Sequence, residues 1–275
     1  IDRIIMSQDE KRWDMLLMEV IYSDAKYDRY LMPVTLTSRD STIARDHPQS
    51  LLALVINNVE SYLCDSIYDP DFRSMLLRMI YHGRTLRSGE GKISSQKSDN
   101  FKERFSNVDL TDIDSEVMRG EQTNTSIRYG DSFVLKFYRR LEEETNPEIE
   151  ILRFLTERTE YQNVPGYAGC VSFKRSRYDS PTIMALLMEY IRNEGDAYDM
   201  TRFAIRRFFE EVLSREKEAE VPTIEADILD LDPGDIDDKL RGTIGEFFLE
   251  NIELLAKRTA QLHISLASDT SDPAF

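Results

Sequence analysis

The sequence predicts an α+β fold, in which groups of strands are followed by helices. Residues 13–36 contain two apolar, partly β-branched runs around the polar turn SDAKYD, a pattern typical of two paired strands. Residues 68–83 instead place apolar side chains at helical spacing, and from Thr201 onwards the period is again helical. We therefore expect an N-terminal α+β cap, then a second group of strands that leads into helices.

Composition limits the class of protein. The chain has 275 residues, and its 41% hydrophobic and 31% charged content is that of an ordinary soluble protein. The net charge of −16 argues against a nucleic-acid backbone or an anionic membrane as partner. Cys64 and Cys170 lack CxxC spacing, and no signal peptide is present, so a cytoplasmic location is expected. His47, His82 and His263 have no nearby pattern of metal ligands, and no metal site is assigned.

The first predicted domain, residues 1–88, is a cap made of strands and one helix. Residues 50–69 add two short apolar strands, SLLALVINN and SYLCDSIYD, to the pair already described. The helix follows Asp69, with proline in its first turn, and Gly83 stands where it should end.

Three further segments complete the predicted organisation. Residues 89–110 are rich in Ser, Gly and Lys, which predicts a linker. Residues 111–192 form the second group of strands, and residues 193–275 are helical. The acidic stretch around 216–238 is interpreted as a solvated insertion, because it lacks the spacing of a calcium-binding loop.

The second group of strands has clear turn and cap signals. Residues 125–138 predict a hairpin, TSIRY and SFVLKFY around the turn YGD. Asn146 is the expected cap of a helix that begins with Pro-Glu. Two more strands are predicted at 164–176 and 182–191, and helices follow them.

This order of elements is that of a protein-kinase-like small lobe, followed by the first helices of a large lobe. In such a lobe a lysine on the third strand contacts the nucleotide phosphates and a helix glutamate holds the lysine. Lys136, in FVLK, occupies the strand position. Glu148 shares a helical face with Leu152 and is its expected partner, whereas Glu150 should point elsewhere. The alternative is an edge lysine whose stem packs while its ammonium reaches water.

Two more segments complete the predicted nucleotide site. GEQTNTS, residues 120–126, occupies the turn that would cover the phosphates, and residues 188–191 form the segment that would contact adenine. The candidate nucleotide-binding residues are Lys136, Glu148, Gln122, Thr123, Asn124, Thr125, Ser126, Met188, Glu189, Tyr190 and Ile191.

Several stretches resemble the maltokinases, bacterial enzymes often fused behind a trehalose synthase domain. They include EQTNTS, RRLEEETNPEIE, VPGYAG, NEGDAYD and, in the cap, SIYDPDFRSMLLRMI, and the resemblance covers nearly the whole chain. It implies transfer of the γ-phosphoryl group of ATP, with Mg²⁺, to the anomeric hydroxyl of maltose. Maltose 1-phosphate, the product, feeds glucan and glycogen synthesis. The resemblance also implies that Lys136 binds the α- and β-phosphates and that Glu148 orients it, and it implies a fused or associated trehalose synthase as partner.

The catalytic half of that family is missing from this sequence. Its base and metal ligands come from motifs of the H-G-D-x-H and D-F-E types, and neither occurs in residues 185–275. His263, in the middle of a predicted helix, is interpreted as a packing residue. No catalytic residue is therefore assigned, and the chain is expected to be an inactive piece of a longer protein that carries the Mg²⁺ ligands. Two alternatives stay open: a non-catalytic scaffold, and a kinase of this fold acting on an aminoglycoside, choline or another sugar.

Overall fold

The protein, seen in a computed structural model, has two compact units, residues 1–191 and residues 192–275. The fold is α+β, as predicted, and its paired strands are antiparallel throughout the described part of the chain. The structure describes residues 2–8, 10–48, 51–56, 59–88, 91–110, 113–118, 123–142, 146–176, 179–214 and 238–272.

The first unit begins with an antiparallel sheet whose strand order is 1-2-3-5-4. Its hairpin at residues 13–36 is confirmed, with Asp14 opposite Val34 and Ile21 opposite Tyr27. The alternating apolar side chains of its strands point to one buried face, which is why this segment pairs as a sheet. The elements are β1 (Asp2–Gln8), β2 (Lys11–Ile21), β3 (Tyr27–Thr37), α1 (Thr42–Asp46), β4 (Leu51–Ile56) and β5 (Val59–Asp65).

Helix α2 (Pro70–His82) has the ends that its sequence predicts. The Asp69 carboxylate accepts a hydrogen bond from the Asp71 amide, so one of the unpaired N–H groups of the first turn is satisfied. The helix ends at Gly83, whose φ of 60° lies in the left-handed region that glycine adopts without a steric penalty. The predicted helix is therefore confirmed at both boundaries.

A second sheet contains the strands of the predicted second domain. In spatial order it runs β6-β7-β12-β13-β10-β9-β8, and helix α4 lies between β10 and β12 along the chain. The short strand β11, between β10 and α4, pairs instead with β3 of the first sheet. The elements are β6 (Thr85–Ser88), β7 (Gly91–Lys97), α3 (Phe101–Arg104), β8 (Ser115–Val117), β9 (Asn124–Tyr129), β10 (Phe133–Tyr138), β11 (Arg140–Leu141), α4 (Pro147–Arg158), β12 (Tyr167–Lys174) and β13 (Thr182–Glu189).

The linker predicted at residues 89–110 is wrong, because this segment contains β7 and α3. Strand β7 pairs along its length with β12, and Ile93 on it is fully buried. The prediction rested on the serines of this segment, yet one of them lies within the sheet. The Ser95 hydroxyl donates to the carbonyl oxygen of Met79 in α2, at 2.6 Å. A serine whose hydroxyl has a backbone acceptor can be buried in a sheet, so a serine-rich composition does not require a linker.

Helix α2, although predicted in the cap, packs against the second sheet. Buried Arg73 donates to the carbonyl oxygen of Ile67 and to the hydroxyl and carbonyl oxygens of Ser115, at the start of β8. The Tyr129 hydroxyl of β9 in turn donates to the carbonyl oxygen of Arg73, at 2.8 Å. The predicted boundary at residue 88 therefore falls inside one packed unit with a continuous apolar core.

The second unit is helical in the part that the structure describes. It contains α5 (Ala197–Ser214), α6 (Asp238–Ile244) and α7 (Glu246–Leu266). The predicted acidic insertion at 216–238 lies outside the described residues, apart from its last residue. Among the helices that the structure describes, none is both long enough and apolar enough to span a membrane.

Candidate functional site

Lys136 lies on a central strand, with β9 on one side of β10 and β13 on the other. It stands opposite Ser126 of β9 and Leu186 of β13, while its neighbours Leu135 and Phe137 point into the core on the other face. An edge lysine reaches water around the rim of the sheet, whereas the Lys136 side chain projects from the face of a central strand. Lys136 is therefore not an edge residue, although 22% of its side chain is exposed at the pocket described below.

Glu148 receives the Lys136 ammonium in the geometry that the sequence predicts. The lysine Nζ lies 2.8 Å from Oε2 and 3.0 Å from Oε1 of the carboxylate. Asn146 caps α4 and accepts from the Glu148 amide at 3.0 Å, which fixes the first turn beside the strand. Leu152 is buried on this side of the helix, and Glu150 is exposed. The structure thus brings together two residues from different elements.

Tyr138 is a third member of this cluster that sequence reasoning missed. Its hydroxyl donates to Oε2 of Glu148 at 2.9 Å, and the Lys136 Nζ lies 5.6 Å from the centre of its ring. Tyr138 is two positions after Lys136 in the strand, so strand alternation places both side chains on one face. That alternation was the available signal, although it does not show where α4 crosses the strand.

The Tyr138 hydroxyl remains protonated throughout the physiological pH range. Burial raises its pKa well above the usual range, the negative charge of Glu148 and the hydrogen bond to it raise it further, and hydrogen bonding with Asn146 acts weakly the other way. Because only the protonated phenol can donate, Tyr138 acts as a donor to the carboxylate.

A pocket of about 410 Å³ opens at this cluster. It contains two cations, Lys136 and Arg140, and two carboxylates, Glu142 and Glu148. Arg140 also pairs with Asp28 of the first sheet at 2.6 Å. A ligand phosphate reaching this pocket would find the Lys136 ammonium already oriented. The lining residues are Thr123, Asn124, Lys136, Tyr138, Arg140, Glu142, Asn146, Pro147, Glu148 and Ile183.

The predicted phosphate-covering segment is only partly at this pocket. Gln122 lies outside the described residues, whereas Thr123 and Asn124 line the pocket. Ser126 is a strand residue directly opposite Lys136, and Thr125 faces away, with its hydroxyl accepting from Arg139 at 2.9 Å. The prediction that the loop extends to residue 126 is wrong, because pairing with β10 begins at Asn124.

The side chains of the predicted adenine-contacting segment, residues 188–191, lie on different faces of the sheet. Met188 is opposite Val134 and thus shares the sheet face of Lys136. The carboxylate of Glu189 accepts instead from Arg104 at 2.8 Å and from the Gly166 amide at 3.2 Å.

The backbone of residues 188–191 and the Tyr190 side chain also contact other parts of the first unit. The amides of Glu189 and Tyr190 donate to the carbonyl oxygens of Gly166 and Ser132. The Tyr190 ring lies 5.5 Å from the Arg128 guanidinium, and Ile191 is exposed. The Glu189 side chain therefore holds the segment in place and is not available to a ligand.

The described residues offer no ready metal site. Within the stretches that the structure describes, no group of three His, Cys, Asp or Glu side chains could hold an ion. Mg²⁺ does not fit the residues of this site, where the Glu148 carboxylate is already engaged by Lys136 and Tyr138.

A larger groove, of about 1440 Å³, lies at the first sheet and its helices. Its charged side chains largely pair with each other: Arg3 with Asp14, and Lys11 with Asp71. Size alone would favour this groove, but the oriented cation of the smaller pocket is the feature with recognisable chemistry.

No protein-family model matches the chain. Among solved structures, glucosamine kinase in complex with glucosamine, ADP and inorganic phosphate aligns with a TM-score of 0.49 and 14% identity, over 96% of this chain and 46% of that chain. Two other crystal forms of glucosamine kinase, A and B, align with TM-scores of 0.46 and 0.48 and 15% identity, over 96% of this chain and 45% of theirs. The chain thus spans less than half the length of these structures. These alignments establish neither the fold nor the activity of this chain.

Proposed function

We propose that the second sheet and α4 form the nucleotide-binding lobe of an ATP-dependent small-molecule kinase. The observation that carries the proposal is the Lys136–Glu148 pair, which joins a central strand to the first turn of a helix at a pocket. The topology of the sheet also supports it. The strand order β8-β9-β10-β13-β12, with α4 after the lysine strand, is that of a kinase small lobe.

The physical argument concerns what the pair can do for a phosphate. The lysine side chain is 22% exposed, and its carboxylate partner fixes the direction of the ammonium. Lys136 has three donors, and the Glu148 oxygens do not saturate them. The free donor capacity lies at the pocket, where the α- and β-phosphates of a nucleotide would meet it.

The acceptor and the product are proposed on the sequence resemblance alone. Maltose is the proposed acceptor, maltose 1-phosphate the proposed product, and a trehalose synthase domain the proposed partner of the whole protein. The chain contains no H-G-D-x-H or D-F-E motif in residues 185–275. We therefore propose that this chain binds ATP, and that phosphoryl transfer with Mg²⁺ is a property of the whole protein.

Calorimetric titration with ATP and, separately, with adenosine tests the proposal. Lys136→Ala should weaken ATP binding by about tenfold, the order of one charge-assisted hydrogen bond, and should leave adenosine binding unchanged. The matched control is Lys92→Ala, which removes an exposed lysine from β7 of the same sheet and should change neither titration.

Two results would contradict the proposal. If the wild-type chain binds neither ligand, the lobe is a scaffold and not a nucleotide site. If Lys136→Ala and Lys92→Ala weaken ATP binding equally, the phosphates respond to the overall charge of the protein and not to the pocket.

A further inference from the structure

Tyr138 stands at the point where the lysine strand meets the glutamate helix. The whole residue is 8% exposed, whereas the side chains of Lys136 and Glu148 are 22% and 41% exposed. The tyrosine is thus the most firmly packed member of the cluster, and it belongs to the continuous core of the first unit.

The ion pair alone is a weak constraint on the glutamate. A partly exposed lysine–carboxylate pair gains little net free energy, because solvent screens the charges and two long side chains lose rotamer freedom. Glu148 also belongs to the first turn of α4, whose only described side-chain cap is Asn146. A second fixed donor is needed if the carboxylate is to keep one orientation.

Tyr138 supplies that donor. Its hydroxyl holds Oε2 of Glu148 at 2.9 Å, the same oxygen that lies 2.8 Å from the Lys136 Nζ. A hydrogen bond to an ionised acceptor is stronger than one between neutral groups, and the rigid ring has few rotamers to lose. The tyrosine therefore restricts where the carboxylate, and through it the ammonium, can lie.

We propose that Tyr138 is a positioning residue, which holds Glu148 so that Lys136 is directed at the nucleotide phosphates before the nucleotide arrives. This inference rests on the proposed function. It predicts that the contribution of Tyr138 to ATP binding passes entirely through Lys136.

The test is a double-mutant cycle in ATP affinity, with Tyr138→Phe, Lys136→Ala and the combination. Tyr138→Phe removes one oxygen and keeps the ring, so the core packing is preserved. We expect it to raise the Kd for ATP roughly fivefold, the factor that corresponds to one net hydrogen bond, and to leave adenosine binding unchanged. In the Lys136→Ala background the same change should have no further effect.

The matched control is Tyr129→Phe. Tyr129 is fully buried where Tyr138 is 8% exposed, and its hydroxyl donates to the Arg73 carbonyl oxygen on the opposite face of the sheet. Both tyrosine variants should lower the thermal unfolding midpoint to a similar degree, and only Tyr138→Phe should change the Kd for ATP.

The inference and the proposed function fail in different ways. If Lys136→Ala weakens ATP binding but Tyr138→Phe does not, the nucleotide site stands and the positioning role is overturned. If Tyr138→Phe costs the same factor with and without Lys136, the tyrosine acts on stability or another contact, and the inference is likewise overturned. If Lys136→Ala has no effect on ATP, the proposed function itself fails.

Discussion

Asp69 carries two structural roles that substitution can separate. Its Oδ1 accepts from the Asp71 amide at 3.0 Å and caps α2, and its Oδ2 accepts from Nε1 of Trp13 at 2.8 Å. Asp69 and Trp13 are both buried, at 6% and 1% exposure, so the indole N–H has no access to water. Removing the carboxylate should therefore cost the cap and also leave a buried donor unpaired.

The two costs can be estimated from these contacts. Loss of an N-cap costs about 1 kcal/mol, and an unpaired buried donor costs about 1–3 kcal/mol, so Asp69→Ala should destabilise the first unit by about 2–4 kcal/mol. Asparagine caps helices as well as aspartate does, but it replaces one carboxylate oxygen by an NH2 group, which cannot accept, and the two donors meet different oxygens of Asp69. Asp69→Asn should thus keep the cap and lose about 1–3 kcal/mol.

Urea unfolding followed by tryptophan fluorescence measures this directly, because Trp13 is the single tryptophan of the chain. The matched control is Asp71→Asn, two residues away, whose side chain is 56% exposed and pairs with Lys11. That exposed pair should contribute less than about 1 kcal/mol. The reasoning is refuted if Asp69→Asn is as stable as wild type while Asp69→Ala loses only the value of a cap.

Two other predictions concern the second sheet and its helix. Asn146→Ala should cost about 1 kcal/mol of stability and should also weaken ATP binding, because the cap fixes the turn that carries Glu148. Asn146→Asp, which keeps a capping oxygen, should restore both the stability and the affinity. Equal ATP affinity in the wild type and both variants would contradict this prediction. Gly169→Ala should lower stability by about 1–3 kcal/mol, because an added Cβ meets the carbonyl oxygen of Gln96 and the Ile80 side chain of α2. An unchanged thermal midpoint for Gly169→Ala would show that α2 does not pack closely on β12.

The lysine–glutamate pair could be predicted because both partners depend on strong local patterns. Strand alternation and the YGD turn fix the face of Lys136, and the Asn-Pro-Glu sequence fixes where α4 begins. The Tyr138 contact with Glu148 depends in addition on how the helix crosses the sheet, which no local pattern encodes.

The linker error has its physical cause in a contact between distant parts of the chain. Ser95 is buried because a carbonyl of α2 accepts its hydroxyl hydrogen bond, and composition alone cannot reveal that acceptor. Glu189 is opposite Phe133, so its side chain lies on the face of the sheet away from Lys136, where Arg104, 85 residues earlier in the chain, donates to it. A linker prediction that rests on composition fails where such a partner exists.

The claim that Lys136 meets nucleotide phosphates can be tested by covalent labelling with an acyl phosphate derivative of ATP, which transfers its acyl group to a lysine amine beside the bound phosphates. Peptide mass spectrometry would then quantify labelling at each lysine, with and without excess ATP. We predict that Lys136 is labelled above the exposed lysines Lys92 and Lys102, and that excess ATP protects Lys136 selectively. Uniform labelling of all three lysines, without protection by ATP, would contradict the account.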